Sequence, residues 1–185
     1  MTSRRKEYIS SGVELGFDER VHCQRRVKVR GAWYNVDSGP VPHAFFTYRV
    51  SKVPYLVLNP NGYQCTNALH KVFFNGVTKM QRKWIQLSLL SIFGQLFLEI
   101  GARHYGNGTM KIEPKTLKKV LVYTGASRIP QDVYDGILRH IAEGRKDRAC
   151  REATQLIADE TNIEDSIVDD VGNLVKEVRW RRGVT

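Results

Sequence analysis

The chain has 185 residues, 42% of them apolar and 26% charged, with a formal net charge of +10. That length suits one good-sized domain or two small ones, and that apolar share builds a real core, so bulk disorder is excluded. The positive excess favours a polyanionic partner, either nucleic acid or an anionic membrane surface.

The charge is unevenly placed. Residues 1–125 carry 19 basic and 7 acidic side chains, residues 126–185 carry 10 and 12. A partner surface is therefore expected in the first two-thirds, with the last third as scaffold. Cys23, Cys65 and Cys150 are widely spaced and form no CxxC pair, which argues against a zinc knuckle or a disulfide framework and for free thiols in a cytoplasmic protein. MTSRRKEYISSG lacks the apolar stretch of a signal peptide. The run Trp84 to Ile100 is as long as a short membrane span, but it carries two Gln, two Ser and a Glu, so it reads as a buried helix and no membrane partner is expected.

In chain order, residues 1–12 are polar and expected to be loose. From Val13 to about Lys79 the texture is β. VHCQRRVKVRG partly alternates, with Val21, Cys23, Val27 and Val29 separated by polar residues. GAWYNVD, HAFFTYRV and PYLVLN follow as short runs rich in Val, Tyr, Phe and Trp, split by SGPVP and NPNG turns. Many short strands predict an antiparallel sheet or small barrel. One long helix is predicted over 79–102, with a wide apolar arc and Gly101 as its stop. Residues 111–123 read as strand–turn–strand or as a short helix feeding a strand, with Pro114 breaking any helix through it. After Gly125 three helical segments follow. The expected fold is α+β: a short-stranded antiparallel β region (13–125) built around a long buried helix, with a helical subdomain (126–185) packed on it.

No GxGxxG or GxxxxGK[ST] loop occurs, and none of the five His has HxxxH or HExxH spacing, so neither a nucleotide loop nor a metal site is suggested. NPNGY (59–63) looks superficially like an Asn-Pro-Pro-aromatic active-site motif, but Asn61 stands at the second Pro and a Gly precedes Tyr63, which is the composition of a turn.

Nucleic-acid chemistry is better represented. Arg25, Arg26, Lys28 and Arg30 sit beside Trp33 and Tyr34. Arg and Lys hold phosphates or read guanine edges, and aromatic rings stack on bases or wedge between them. The same residues also suit a solvated basic face and a core aromatic. Thr66, Asn67 and His70, with Lys71, carry groups that touch phosphate or adenine edges, or equally close a turn on their own backbone. The loop GARHYGNGTMK (101–111) is the best local candidate: glycines let a backbone approach a ligand, while Arg103, His104, Tyr105 and Lys111 supply charge, donors and a stacking face. An ordinary helix end and glycine turn has the same composition.

Taken in order, Cys23, Arg26, Trp33–Tyr34, LVLN (56–59), Thr66–Asn67–x–x–His70, the long helix, and Gly-x-Arg-x-Tyr-Gly-x-Gly with Lys-Ile-Glu-Pro (101–114) form a set. This set, with the RWRR tail (179–182), resembles the C-terminal target-recognition region of adenine-specific DNA methyltransferases of bacterial restriction–modification systems. The resemblance spans roughly residues 13–182. It implies a parent enzyme that flips adenine from the duplex and methylates its exocyclic amine with S-adenosylmethionine. The family's methyl-donor loop and Asn-Pro-Pro-aromatic motif are missing from this chain. It is therefore expected to supply duplex grip and sequence choice, to bind double-stranded DNA, and to partner a catalytic domain or subunit.

The residues expected at DNA are Arg25, Arg26, Lys28, Trp33, Tyr34, Thr66, Asn67, His70, Arg103, Tyr105 and Lys111. Two alternatives stay open: a small stand-alone nuclease, for which Glu164, Asp165, Asp169 and Asp170 are the nearest acidic cluster, and a docking module of a restriction–modification complex.

Overall fold

A computed structural model describes residues 3–35, 39–125 and 127–184. The chain divides into two compact units, Met1–Pro40 and Val41–Thr185, and Gly125 lies inside the second.

The first unit is helical. Residues expected to be loose form α1 (Ser3–Glu14), and the stretch expected to be a strand forms α2 (Val21–Arg30). Cys23 and Val27, four apart, share the less exposed side of α2, whereas Val21 and Val29, which completed the apparent alternation, are 66% and 79% exposed. Gly31 ends the helix with φ 76° and donates its N–H to the Val27 carbonyl, and Lys28 and Arg30 favour the negative end of the helix dipole. Trp33, also expected in a strand, follows in a turn and packs on Gly12, where a Cβ would stand only 2.4 Å from the indole.

The second unit holds two small antiparallel sheets and six helices among its described residues. β1 (Ala44–Thr47) lies between β3 (Leu56–Leu58) and β4 (Leu69–Val72). β2 (Arg49–Val50) pairs with β6 (Met110–Lys111), which pairs with β5 (Arg103–His104). The structure is α+β, as expected, though helix predominates at 52% of the described residues against 10% strand.

The long helix predicted over 79–102 is two helices. α3 (Lys79–Leu90) and α4 (Ile92–Gly101) meet at Ser91 with a bend of 66°. Ser91 ends the first and caps the second: its backbone is extended (ψ 161°), its hydroxyl donates to the Ser88 carbonyl at 2.8 Å, and it accepts from Gly94 N–H. The Ile92 N–H goes to the Thr154 hydroxyl at 2.9 Å, and the Gln95 amide donates to the Leu89 carbonyl at 2.8 Å. Side chains thus satisfy backbone groups that a continuous helix would have paired. An apolar pattern cannot show such a break, because the buried arc runs on through it. Among the described residues no single helix is long and apolar enough to cross a membrane.

α3 starts with a capping box between Thr78 and Gln81. It stands between two cores, which explains its burial all round. Trp84, Leu87 and Leu90 face Ile129, Tyr134, Ile137, Ala149, Ala153 and Ile157. Ile85 and Leu89 face Ala44, Phe46, Leu56, Leu98, Met110 and Ile112. Tyr134 closes the seam by donating its hydroxyl to Gln86, whose amide donates to the Leu56 carbonyl. Pro114 opens the short α5 (Pro114–Leu117) after β6, and no strand follows it in the described residues. The tail is α6 (Gln131–Ala142), α7 (Lys146–Thr161) and α8 (Asp165–Arg181).

Candidate nucleic-acid interface

The Gly-rich loop expected after the long helix is an antiparallel hairpin. Tyr105 N–H donates to the Thr109 carbonyl at 2.9 Å, and Gly108 N–H to the Tyr105 carbonyl at 3.1 Å. β5 and β6 therefore run back to back, with β2 on the far edge of β6.

Register then decides which side chains meet. Arg49 opposes Lys111, and Lys111 opposes Arg103. Directly opposed residues share a face, so three cations form one row across three strands, roughly 5 Å apart at each step. The alternate positions, Val50, Met110 and His104, take the other face. Met110 is fully buried there, and a His104 ring nitrogen bonds the Glu99 carbonyl at 2.8 Å.

Aromatic rings frame the row. The Arg49 guanidinium lies 5.7 Å from the ring centres of both Tyr48 and Tyr105, and the Lys111 ammonium 5.1 Å from that of Tyr48. One carboxylate enters: Glu113 is 2.7 Å from Lys111. The hydrogen bond from Lys111 holds the Glu113 carboxyl below its usual range, and the same bond, joined by one with Tyr48, raises the Lys111 ammonium. Both groups stay charged at neutral pH. The face offers two guanidinium groups, an ammonium and a half-exposed phenol ring, which suits phosphate binding and base stacking.

The structure thus brings Arg103, Tyr105 and Lys111 together. Sequence reading missed Arg49, because HAFFTYRV reads as one strand. The chain turns at Tyr48 from one sheet to the other, which re-aims Arg49. The only hint was the Tyr-Arg pair itself.

The remaining candidates are placed otherwise. His70 is half-buried between the sheets: a ring nitrogen bonds the Ile112 carbonyl at 2.7 Å, and the ring stands edge-on to Tyr48 at 4.9 Å. It supports Tyr48. Thr66 and Asn67 are exposed just ahead of β4. Asn59, in the NPNG turn, spends its side chain on backbone groups, accepting from Tyr63 N–H and donating to the Tyr63 carbonyl and to that of Pro42 ahead of β1, each at 2.9 Å. Arg25, Arg26 and Lys28 are exposed on α2 in the first unit, where Arg26 and Arg30 share one stripe. Trp33 is committed to packing on Gly12, and Tyr34, 44% exposed, meets it edge-on at 5.7 Å.

A groove of about 1030 Å³ runs beside β3, with Leu58, Tyr134, Leu138 and Ile141 among its walls. Two of its cations are turned onto rings of the protein: Lys83 lies 4.4 Å from Tyr134, and Arg82 5.5 Å from Phe74. Among the described residues no group of three or more His, Cys, Asp or Glu could hold a metal ion.

Residues 1–161 match the model of a protein family described as the C-terminal domain of the type II methyltransferase M.Eco57I. No curated protein and no solved structure matches the chain.

Proposed function

The chain belongs to the family of the type II methyltransferase M.Eco57I C-terminal domain, and on that premise we propose that it is the DNA-reading part of an adenine-specific DNA methyltransferase of a restriction–modification system. The observation that carries the reading is the row Arg49–Lys111–Arg103 with Tyr105 beside it. Its cations neutralise backbone phosphates, and Tyr105 stacks on or wedges beside a base. Arg25, Arg26, Lys28 and Arg30 on α2 give a second basic surface, and Thr66 and Asn67 are the remaining base readers of this proposal.

Methyl transfer belongs to a catalytic domain or subunit that this one partners in the cytoplasm. S-adenosylmethionine is assigned there too, because the residues here do not fit it. Both sheets are antiparallel, and the Gly-rich segment closes a hairpin instead of leading a strand into a helix.

The test is binding of the folded chain to a labelled DNA duplex across a salt series. Affinity falling steeply with salt supports the reading, since each neutralised phosphate releases counterion. A folded chain with no duplex binding in low salt overturns it.

A further inference from the structure

We infer that Arg182, at the C-terminal end of α8, is a positioning residue that fixes the hairpin bearing Arg103, Tyr105 and Lys111. The inference rests on the reading just given, and extends it to a helix beyond the residues matched by the family model.

Its basis is one buried network. Glu99 on α4 is fully buried, and its carboxylate accepts from Arg182 twice, at 2.9 and 3.1 Å, and from Arg179 at 2.9 Å. Two guanidinium groups on one buried carboxylate satisfy its acceptor sites and leave a positive charge to be placed. Arg182 spends its other end on two backbone carbonyls: Ser51, just after β2, at 2.9 Å, and Gly108, in the hairpin turn. One planar group therefore ties α4, α8, the end of β2 and the hairpin turn. Arg179 braces it by donating to Gln95 at 3.0 Å.

The chain after Arg182 closes on the same turn. Gly108 has φ +73°, and a Cβ there would stand 3.1 Å from Val184 and 3.6 Å from the Arg182 carbonyl. The Glu99 carbonyl meanwhile engages His104 on the face of the hairpin that carries Met110. None of these groups lies in the cationic row. They set where the row stands, because strands of two residues each have little ladder of their own to hold register.

The test uses the whole chain with Arg182→Lys, which keeps a charge for Glu99 but loses the fork that reaches both carbonyls. Amide exchange is read at Tyr105 and Gly108 in the hairpin, and at Ser91 and Tyr134 in the core. The expected result is exchange about tenfold faster in the hairpin alone, with duplex affinity lower by about tenfold and an unchanged salt slope, since no phosphate contact is removed. If Arg182→Lys does not fold, Arg182→Met is read in its place, because Glu99 then keeps Arg179 as its one-to-one partner and no net charge is buried. Hairpin exchange at the wild-type rate overturns the inference, as does faster exchange everywhere. Faster hairpin exchange with unchanged affinity also overturns it. If the wild-type chain binds no duplex, the function proposed above fails, and the exchange pattern alone decides whether Arg182 holds the hairpin.

Discussion

Lys111 and Glu113 form an ion pair of 2.7 Å on the face that carries the cationic row. If this face binds phosphate, as proposed above, a carboxylate on it opposes binding. We predict that Glu113→Gln frees Lys111, raises duplex affinity about threefold and steepens the salt slope by about one, measured by titration at several salt concentrations. The pair's pH behaviour has two edges. Glu113 has its pKa lowered by Lys111, so its contribution to stability is full above its unfolded pKa and is lost as pH falls through the folded one. Lys111 has its pKa raised by Glu113, so its contribution is full below its unfolded pKa and is lost as pH rises through the folded one. Across neutral pH the pair is therefore constant, and Glu113→Gln should shift duplex affinity equally at pH 6 and pH 8.

Alanine at Arg49 or Arg103 should each weaken duplex binding and reduce the salt slope by about one, as should alanine at Lys111 once Glu113→Gln has freed it. Tyr105→Ala should weaken binding while leaving the slope intact, because stacking releases no counterion. Equal slopes for all four variants would remove the row from the interface.

Gln86 and Tyr134 join α3 to α6 inside the protein. Burial above all, then Asp135, raises the Tyr134 hydroxyl to about 12, so it stays a donor throughout the physiological range. Tyr134→Phe leaves the Gln86 oxygen without its donor and should cost about 1–3 kcal/mol in urea unfolding.

Two glycines in helices should respond with opposite sign. At Gly94 a Cβ would stand 2.2 Å from the Ser88 carbonyl oxygen, so Gly94→Ala must open the bend between α3 and α4 and should destabilise by about 1–3 kcal/mol. Nothing lies within 4 Å of a Cβ at Gly136 in α6, so Gly136→Ala should stabilise by about 0.5–1 kcal/mol. Thermal melts of the two variants give the comparison directly.

Burial chiefly raises the Cys150 thiol to about 11, against the opposing effects of Arg179 and Thr154. Cys23 and Cys65 are partly exposed. A thiol reagent at pH 8 should modify two cysteines quickly and Cys150 only after denaturant is added.

The sequence carried the parts of this fold that rest on burial. The α+β class, the core position of Trp84 through Leu90 and the three tail helices follow from apolar spacing, which water enforces directly. It misled where spacing was compatible with two periods. Val21, Cys23, Val27 and Val29 alternate on paper, yet Cys23 and Val27 also lie one helical turn apart, and Gly31 offers a helix end. It was silent where a single polar side chain redirects the backbone, as Ser91 does. The hairpin residues Arg103, Tyr105 and Lys111 were legible because their types are unusual together. Arg49 was not, since only strand pairing brings it beside Lys111.

The first unit has a thermodynamic consequence of its own. Among its helical residues only Gly12 is buried, under Trp33, so α1 and α2 remove little apolar surface from water. Helices so thinly buried are held mainly by local contacts, so on the function proposed above the basic helix α2 is formed for only part of the time. Any phosphate held by Arg26 and Arg30 is held with an affinity discounted by that fraction. A catalytic partner that packs on these helices would remove the discount without touching the DNA, so on that proposal the grip is set as much by the company the domain keeps as by its own charges.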